Sequence, residues 1–313
     1  MEFILSQLSQ IWPPRPEFTV EDIPDLSGKV IIVTGANTGI GKETAKVALL
    51  AHNAKVYLAC RNETKAREAI ADLRETTGKE GIFLPLDLAD LRSVKTAAES
   101  FLSQERELHV LFNNGGIMAC PTELLSAQGY DLQFGVNVLG HFYFTKLLIP
   151  ALAEAAKNSS DRHSRVVNTS SSGHILSRNI NFETLKDGPV RNKQLSAFLY
   201  PQSKLGNIVF ANELAKRYYD QGIVTTSLNP GNINSDLQRH LWPITKLIIR
   251  LACYDPSHGA LTQLYAGTSP NAADINGKYL IPWARIGESS AISRDAMLGE
   301  KLWNWLEEQV KDI

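Results

Sequence analysis

A tyrosine and a lysine lie four residues apart in the segment LYPQSKLGN, at positions 200 and 204. Residues at i and i+4 share one face of a helix, so the ammonium group of Lys204 would lie beside the phenol of Tyr200. An unperturbed tyrosine, with a pKa of about 10, is a poor base at neutral pH. A neighbouring cation favours the phenolate and lowers that pKa, so the pair could move a proton. The same spacing also occurs by chance in many helices, and the rest of the sequence has to decide between the two interpretations.

The sequence around this pair alternates between predicted strands and predicted helices. Short apolar runs occur at 29–35, 54–60, 81–88, 108–116, 164–173, 222–231 and 277–283. This alternation predicts an α/β protein, a single-domain doubly wound Rossmann fold with a parallel sheet of about seven strands and helices on both faces. We assign the domain to residues 29–313 and treat residues 1–28, which include the linker-like WPPRPEF (12–18), as an N-terminal extension.

A glycine-rich turn, TGANTGIG (34–41), joins the first predicted strand to the first predicted helix. Its glycines allow a tight turn, and the helix that follows offers unpaired N–H groups and a positive dipole end to a pyrophosphate. The strand–turn–helix context favours this dinucleotide-binding interpretation over glycines that serve packing alone. The residues predicted to contact the cofactor here are Gly35, Asn37, Thr38, Gly39, Ile40 and Gly41.

The end of the second predicted strand indicates which dinucleotide is bound. NAD-binding folds usually place an acidic residue about 20 residues after the last glycine, where it binds the ribose 2′-hydroxyl. This sequence has Arg61 there, and a guanidinium group suits a 2′-phosphate. Lys65, one helical turn further, could add a second cation or could simply begin a solvated basic helix. We therefore predict NADP(H) as the cofactor.

Two further predicted strands end in polar residues at the same edge of the sheet, where ligands bind in open α/β folds. Asp87 could accept a hydrogen bond from an adenine amino group, or it could cap the next helix, as could Asp90. The NNGG motif (113–116) follows the fourth strand, and its glycines allow a close approach to the cofactor ribose. We predict that Asn114 and Gly115 contact the cofactor.

Seven motifs therefore occur together and in order: TGANTGIG, the strand-end Asp87, NNGG, Asn137 in GVNVLGHF, Ser171 in NTSSSG, Tyr200 with Lys204, and NPG at 229–231. This set resembles the short-chain dehydrogenase/reductase family over residues 29 to about 285. The segments GANTGIGKETA, ACRN, NNGGIM and SKLGNIVFANELAKR are most similar to its retinol dehydrogenase and WW-domain oxidoreductase branch.

The resemblance implies a role for each catalytic position. Tyr200 would be the general acid in carbonyl reduction, or the base in alcohol oxidation, and Lys204 would also hold the nicotinamide ribose. Ser171 would hydrogen-bond the substrate oxygen and stabilise the charge that develops there. Asn137 would hold a water that links Lys204 to solvent. Tyr200 and Lys204 are also expected to contact the cofactor. The cofactor residues expected beyond those above are Leu88, Pro230, Gly231, Ile233 and Ser235.

The sequence departs from the family pattern at several points. Glycine stands at 115 where the family usually has alanine, a change expected to loosen the loop. Pro201 directly follows Tyr200, and we interpret it as fixing the start of the helix predicted at 201–219. Of the three serines at 170–172, we assign the catalytic role to Ser171 from its position after VVNTS. We give no role to His141 or His174, although both flank catalytic segments.

The substrate is expected to be bound under the segment 232–256. Apolar residues recur at helical spacing in LWPITKLIIRLAC (241–253), with Lys246 and Arg250 on the other side. In the family this region covers the substrate pocket, which suggests a small lipophilic alcohol, aldehyde or ketone. An ordinary amphipathic helix packed on the core is the alternative. A third interpretation is peripheral contact with a membrane surface, aided by the apolar N-terminus.

Composition and charge exclude several other classes of protein. The 313 residues carry a formal net charge of −1, which does not favour nucleic acid. The three cysteines are isolated and the histidines show no metal-ligand spacing, so neither a disulfide framework nor a metal site is predicted. No uninterrupted apolar run approaches the roughly 18 to 20 residues of a membrane span, and no signal peptide is evident. We expect a cytoplasmic location, with peripheral membrane contact as an alternative.

Two functions remain. The first is an NADP(H)-dependent oxidoreductase that interconverts a lipophilic alcohol and its aldehyde or ketone, and a 2′-phosphate preference would favour reduction. The second is a catalytically idle dinucleotide-binding sensor or scaffold. Because Ser171, Tyr200 and Lys204 are all present, we favour the enzyme. The resemblance also implies a homodimer formed through the helices at 130–157 and 201–219.

Overall fold

The computed structural model describes residues 2–234 and 253–313, and an eight-stranded sheet lies at the centre of these residues. The strands are β1 (Val30–Thr34), β2 (Lys55–Cys60), β3 (Ile82–Pro85), β4 (Val110–Asn113), β5 (Ser164–Thr169), β6 (Ile223–Leu228), β7 (Tyr279–Ile281) and β8 (Arg285–Gly287). Their order is β3-β2-β1-β4-β5-β6-β7-β8, with β1 to β7 parallel and β8 antiparallel to β7. The predicted doubly wound α/β fold is confirmed, with one strand more than the seven expected. At three residues, β8 is too short for sequence alternation to reveal it.

Helices cover both faces of this sheet. They are α1 (Glu2–Ile11), α2 (Gly39–Glu43), α3 (Glu63–Thr77), α4 (Leu91–Leu102), α5 (Leu132–Phe134), α6 (His141–Asn158), α7 (Ser196–Tyr218), α8 (Pro256–Thr268) and α9 (Ala296–Val310). A π-helical segment continues α2 over Thr44–Leu50, and another joins α5 to α6 over Gly135–Gly140.

The sheet separates two apolar cores. In β1, Ile32 packs into the core formed with α4, α6, α7 and α9, while Ile31 and Val33 pack into the core formed with α2, α3 and α8. A parallel sheet buried on both faces needs apolar residues at successive positions, which explains why β1 reads VIIVT without polar alternation.

The continuous helix Leu132–Asn158, among the described residues, is long and apolar enough by length and composition to span a membrane. The sequence had suggested no such segment. However, 72% of its apolar window is buried inside the protein, and Phe142, Phe144, Leu148 and Leu152 are fully buried in the core. Its apolar character is therefore accounted for by packing against the sheet.

The C-terminal helix α9 covers part of the surface through which a homodimer was predicted. Trp303 of α9 lies edge-on to Phe142 of α6, with ring centroids 5.2 Å apart, and stacks on Phe210 of α7 at 6.4 Å. The apolar faces of α6 and α7 around these residues are thus buried within one chain. Dimerisation stays a prediction, and it would have to use other parts of these helices.

The N-terminal helix α1 packs on the chain beside the ends of β6 and β7. The Asn229 side-chain amide donates to Gln10 Oε1 at 2.9 Å, and Gln10 is buried. Arg285 donates to the carbonyl of Ser9 at 3.0 Å. Helix α1 is therefore joined by hydrogen bonds to Asn229, which follows β6, and to Arg285, the first residue of β8.

Candidate active site

A cavity of about 570 Å³ lies at the carboxyl ends of strands β1 to β6, a volume typical of ligand sites. Nearly all of the residues predicted from the sequence line it: Gly35, Asn37, Thr38, Gly39, Ile40, Gly41, Arg61, Lys65, Asp87, Leu88, Asn114, Gly115, Ser171, Tyr200, Lys204, Pro230, Gly231 and Ile233. Asn137 lies behind this lining, and Ser235 lies outside the described residues.

The glycine-rich turn after β1 is packed too tightly for side chains. Gly35 and Gly39 have φ angles of +66° and +54°, which favour glycine. A Cβ atom at Gly41 would lie 2.5 Å from the carbonyl oxygen of Gly35 and 2.5 Å from Asn114 Nδ2. Helix α2 begins at Gly39 and directs its amino end into the cavity wall. This turn fits a pyrophosphate, which the free N–H groups of a helix start bind well.

Thr34 joins this turn to the NNGG loop. Its hydroxyl oxygen accepts hydrogen bonds from the backbone N–H groups of Asn114 and Gly115 at 3.0 and 2.8 Å. The Asn114 side-chain amide donates to the Thr34 carbonyl at 2.9 Å. The glycine at 115, which was expected to loosen the loop, is thus held at its own backbone amide.

Two exposed cations, Arg61 and Lys65, lie at one end of the cavity. Arg61 follows β2 directly, Lys65 lies in the first turn of α3, and neither forms an ion pair with another described residue. Asp87 accepts from the N–H of Ala89 at 3.0 Å, whereas Asp90 caps α4. The alternative in which Asp87 caps that helix is therefore wrong, and its carboxylate is left beside the cavity.

Ser171, Tyr200 and Lys204 lie together at the other end of the cavity. The side chains of Ser171 and Tyr200 both line the cavity, and the Ser171 hydroxyl is close enough to the phenol to lower its pKa. Lys204 Nζ donates to the carbonyl of Thr169 at 2.9 Å and lies 5.9 Å from the Tyr200 ring centroid. The Ser170 hydroxyl instead donates to the Lys204 carbonyl at 2.7 Å. Of these two serines, Ser171 is the one that contacts the tyrosine.

Pro201 does not start the helix that carries this pair. Helix α7 begins at Ser196, so Pro201 lies in its second turn, and the sequence-based interpretation is wrong. Beyond the first four residues a helix normally uses each N–H, so the proline forgoes one intrahelical hydrogen bond. It follows the tyrosine directly on a buried stretch of α7.

Burial shifts the pKa values of both Tyr200 and Lys204, and the shift of Tyr200 is opposite to the predicted one. Burial raises the pKa of Tyr200 to about 12, although the Ser171 hydroxyl acts in the opposite direction. Burial lowers the pKa of Lys204 to about 8. The prediction that the lysine lowers the tyrosine pKa is therefore wrong, and the loss of solvent around the phenol raises that pKa instead. Tyr200 is consequently protonated at neutral pH, which is the form needed to donate a proton.

Asn137 supports the site from behind. It lies in the π-helical segment before α6 and is fully buried. Its side-chain amide donates to the Ile117 carbonyl at 3.0 Å and to Ser203 Oγ at 2.9 Å, while Oδ1 accepts from the Ile117 N–H at 2.9 Å. The side chain predicted to hold a water therefore clamps the loop after β4.

Gly116, which the sequence did not single out for catalysis, keeps a gap open at this point. A Cβ atom there would lie 3.2 Å from Asn137 Oδ1 and 3.6 Å from Lys204 Nζ. The only sequence signal was its place in the NNGG motif.

We expect Gly116→Ala to lower kcat roughly 10- to 100-fold, because small displacements of catalytic groups are costly. The added methyl group would crowd Asn137 and Lys204 without demanding an unusual backbone conformation. Steady-state kinetics would measure the loss, and NADPH affinity and thermal stability should change little. A variant with unaltered kcat would show that this gap has no catalytic use.

An apolar wall, also missed from the sequence, lines the cavity between the loop after β4 and α5. It consists of Ile117, Cys120, Leu124, Leu132 and Val136. The spacing of Leu132 and Val136, i and i+4, was the one available signal.

Polar contacts fix the loop that carries this wall. Ser196 donates to the Cys120 carbonyl at 2.6 Å, and Arg191 donates to the Leu124 carbonyl at 3.0 Å. Arg191 also forms a buried ion pair with Asp131 at 3.2 Å. The wall is therefore held in place by groups outside the cavity.

The segment predicted to cover the substrate lies mostly outside the described residues, including 241–251. Its two flanks are paired: the Asn234 N–H donates to the Tyr254 carbonyl at 3.0 Å, and the Tyr254 N–H donates to the Asn232 carbonyl at 2.8 Å. Ile233, on one flank, lines the cavity. The segment thus leaves and rejoins the described chain beside the site.

His174 contacts the backbone of Ser171 and does not line the cavity. Its Nδ1 lies 2.7 Å from the Ser171 carbonyl, and its Nε2 accepts from the Ser290 N–H at 3.0 Å. A nitrogen that accepts from an N–H is unprotonated, so Nδ1 carries the hydrogen and donates it. His174, which was given no role from the sequence, links the Ser171 backbone to the turn before α9.

The fold and this site define a dinucleotide-binding oxidoreductase, and comparison with known proteins gives the family. The short chain dehydrogenase model matches residues 29–180. A short-chain dehydrogenase/reductase of Armillaria gallica is 56% identical over 309 residues, covering 99% of both chains. Retinol dehydrogenase 11 of Mus musculus is 40% identical over 286 residues, covering 89% of this chain and 85% of its own. The chain belongs to the short-chain dehydrogenase/reductase family and is similar to its retinol dehydrogenase branch.

Solved structures show the same fold with either nicotinamide cofactor. The 3-ketoacyl-(acyl-carrier-protein) reductase of Brucella melitensis, complexed with NADH, superimposes with a TM-score of 0.63 at 24% identity, covering 82% of this chain and 96% of its own. The RhlG/NADP complex of Pseudomonas aeruginosa gives 0.65 at 22% identity, covering 85% and 97%. The protein is thus an oxidoreductase with a nicotinamide-dinucleotide-binding fold.

Proposed function

We propose that this protein is an NADP(H)-dependent reductase of lipophilic aldehydes or ketones, able to oxidise the corresponding alcohols in reverse, with Tyr200 as the proton donor. One observation supports this above all. A protonated Tyr200 lies with Ser171 in the lining of the cavity, and the buried Lys204 Nζ is 5.9 Å from the Tyr200 ring centroid, beside the apolar wall. A sensor or scaffold would have no need of that arrangement.

The choice of NADP(H) rests on Arg61 and Lys65. Both are exposed at the cavity, and neither is neutralised by an ion pair with a described residue. A guanidinium group can bind a 2′-phosphate through two parallel hydrogen bonds. The position after β2 that would carry a carboxylate in an NAD-binding site carries Arg61 instead.

The choice of a lipophilic substrate rests on the apolar wall. Ile117, Cys120, Leu124, Leu132 and Val136 give the substrate end of the cavity few hydrogen-bonding side chains beyond the catalytic ones. Burial of apolar ligand surface there contributes about 25 cal/mol per Å². The polar groups of Ser171 and Tyr200 would then orient the single carbonyl oxygen.

Each of these residues would have a distinct role in carbonyl reduction. Ser171 and Tyr200 hydrogen-bond the carbonyl oxygen and polarise it. When bound, a reduced nicotinamide supplies the hydride to the carbonyl carbon. Tyr200 donates its phenolic proton to the oxygen as negative charge develops there. The Lys204 ammonium stabilises the phenolate that remains, and Asn137 holds the loop beside it.

The test is NADPH consumption against a series of aldehydes and ketones of increasing chain length, repeated with NADH. We expect turnover with NADPH that rises with chain length until the cavity is filled, and slower turnover with NADH. Tight NADPH binding without turnover of any compound would contradict the proposal and favour a sensor.

Reduction is expected to slow as the pH rises above about 8. The lysine loses its charge there, since burial lowers its pKa to about 8, and the neutral amine no longer stabilises the phenolate. Tyr200, with a pKa of about 12, stays protonated and causes no break in this range. The pH profile of kcat/KM between about pH 6 and pH 10 measures this. In Lys204→Arg, whose charge persists, the break should disappear even if the maximal rate is lower. A flat wild-type profile would contradict the role of Lys204.

A further inference from the structure

A second buried histidine, His141, lies between Thr34 and Asn137. Thr34 holds the loop at Asn114 and Gly115, which we call the cofactor loop. His141 is the first residue of α6, one helical turn after Asn137, and its side chain is fully buried behind the cavity. Its Nδ1 lies 3.0 Å from the Asn137 carbonyl oxygen, and its Nε2 lies 2.9 Å from Thr34 Oγ1. Both ring nitrogens therefore contact residues that belong to the site.

The direction of these two hydrogen bonds follows from the partners. A carbonyl oxygen can only accept, so Nδ1 carries a hydrogen and donates it to Asn137. Burial lowers the pKa of His141 to about 4, so the ring is neutral at physiological pH and Nε2 is unprotonated. Nε2 can then only accept, and the hydrogen must come from the Thr34 hydroxyl. The alternative acceptor for that hydroxyl, the Phe112 carbonyl, is further away at 3.2 Å.

The series of hydrogen bonds from Thr34 through His141 to Asn137 connects two parts of the site. At one end, Thr34 Oγ1 accepts the backbone N–H groups of Asn114 and Gly115, which line the cavity beside the cofactor. At the other end, Asn137 clamps the loop at Ile117, next to the gap that Gly116 keeps open beside Lys204.

We propose that His141 is a positioning residue that holds these two parts separately, fixing the cofactor loop through Thr34 and the loop beside Lys204 through Asn137. The inference rests on the proposed function, because it assigns the Thr34 end to cofactor binding and the Asn137 end to catalysis. The imidazole suits this task because it spans both partners with one rigid ring. It donates at one nitrogen and accepts at the other.

Two substitutions separate the two hydrogen bonds. Asparagine places an amide near the position of Nδ1, so His141→Asn keeps a donor to Asn137 and loses the contact with Thr34. Glutamine reaches the position of Nε2, so His141→Gln keeps an acceptor for Thr34 and loses the donor to Asn137. The loss of one buried hydrogen bond corresponds to roughly 2- to 12-fold in an equilibrium or rate.

We expect His141→Asn to raise the NADPH Kd by that factor with kcat near the wild-type value. His141→Gln is expected to lower kcat by a similar factor with the NADPH Kd near that of the wild type. A matched control is His109→Asn. His109 is also buried, and it accepts from the Val30 N–H at 3.0 Å at the opposite edge of the sheet. That change should lower thermal stability and alter neither kinetic quantity.

The proposal is overturned if both His141 variants behave like His109→Asn, or if each changes NADPH Kd and kcat together by the same factor. Should the His141 variants fail to fold, Thr34→Val removes the same link from the other side, and an unchanged NADPH Kd would overturn it. NADPH Kd is measured without substrate. If the wild type turns over no carbonyl compound, the proposed function fails. The inference about His141 is then decided by the NADPH Kd of His141→Asn alone.

Discussion

Tyr200→Phe is expected to lower kcat for carbonyl reduction by about 100- to 10,000-fold, the usual worth of a positioned general acid. The ring would remain in place beside Lys204, since only the hydroxyl oxygen is removed. Ser171 would still be able to hydrogen-bond the substrate oxygen, but no group would donate the proton. NADPH affinity should stay within about 2-fold of the wild type, because the phenol is assigned to the substrate and not to the cofactor phosphates.

The control for this variant is Tyr57→Phe. Tyr57 is a buried tyrosine whose hydroxyl donates to Glu105 at 2.6 Å, and neither residue lines the cavity. Its loss should cost about 1 kcal/mol of folding stability and leave kcat unchanged. If Tyr200→Phe retained kcat, a different group would have to supply the proton, and the catalytic assignment would be wrong.

Arg61→Glu is expected to reverse the cofactor preference. Removing a charge-assisted hydrogen bond to a phosphate costs roughly 1.5 to 3 kcal/mol, or about 10- to 150-fold in NADPH affinity, and the new carboxylate would repel the 2′-phosphate. The same carboxylate could accept from a ribose 2′-hydroxyl, so NADH should bind better than in the wild type. The ratio of kcat/KM for NADPH and NADH measures the change.

Arg67→Glu provides the matched control because it makes the same change of charge six residues further along the chain, in helix α3. Arg67 is exposed, pairs with Glu63 at 2.6 Å, and does not line the catalytic cavity. Its effect on the NADPH to NADH ratio should be small, since exposed charges are screened. An equal effect of both substitutions on the NADPH to NADH ratio would show that Arg61 acts through long-range electrostatic attraction and not through direct contact with the phosphate.

The sequence was most informative where local pattern determines structure. The parallel strands of the sheet are recognisable as apolar runs because both of their faces are buried. In the turn at 34–41, Gly35 and Gly39 are favoured by their own positive φ angles, which are a local property. Arg61 and Lys65 could be placed because they follow a recognisable strand. Since parallel strands align their carboxyl ends, residues far apart in sequence could be predicted to share one cavity.

Tertiary contacts account for what the sequence did not reveal. The pKa of Tyr200 depends on how much water the fold removes, which the i and i+4 spacing to Lys204 cannot convey. The contacts that hold the Asn137 side chain come from Ile117 and Ser203, 20 and 66 residues away in the chain, and its contact with a water stays a prediction. The roles of His141 and Gly116 likewise depend on partners brought together only by folding.

The most direct measurement of the central claim is transfer of deuterium from NADPH, with deuterium at both hydrogen positions of nicotinamide C4, to a carbonyl compound that the wild type consumes. The account predicts one deuterium on the carbinol carbon of the product alcohol, and little or no product from Tyr200→Phe in the same reaction. Product without deuterium at that carbon, or no product from any carbonyl compound despite tight NADPH binding, would contradict it.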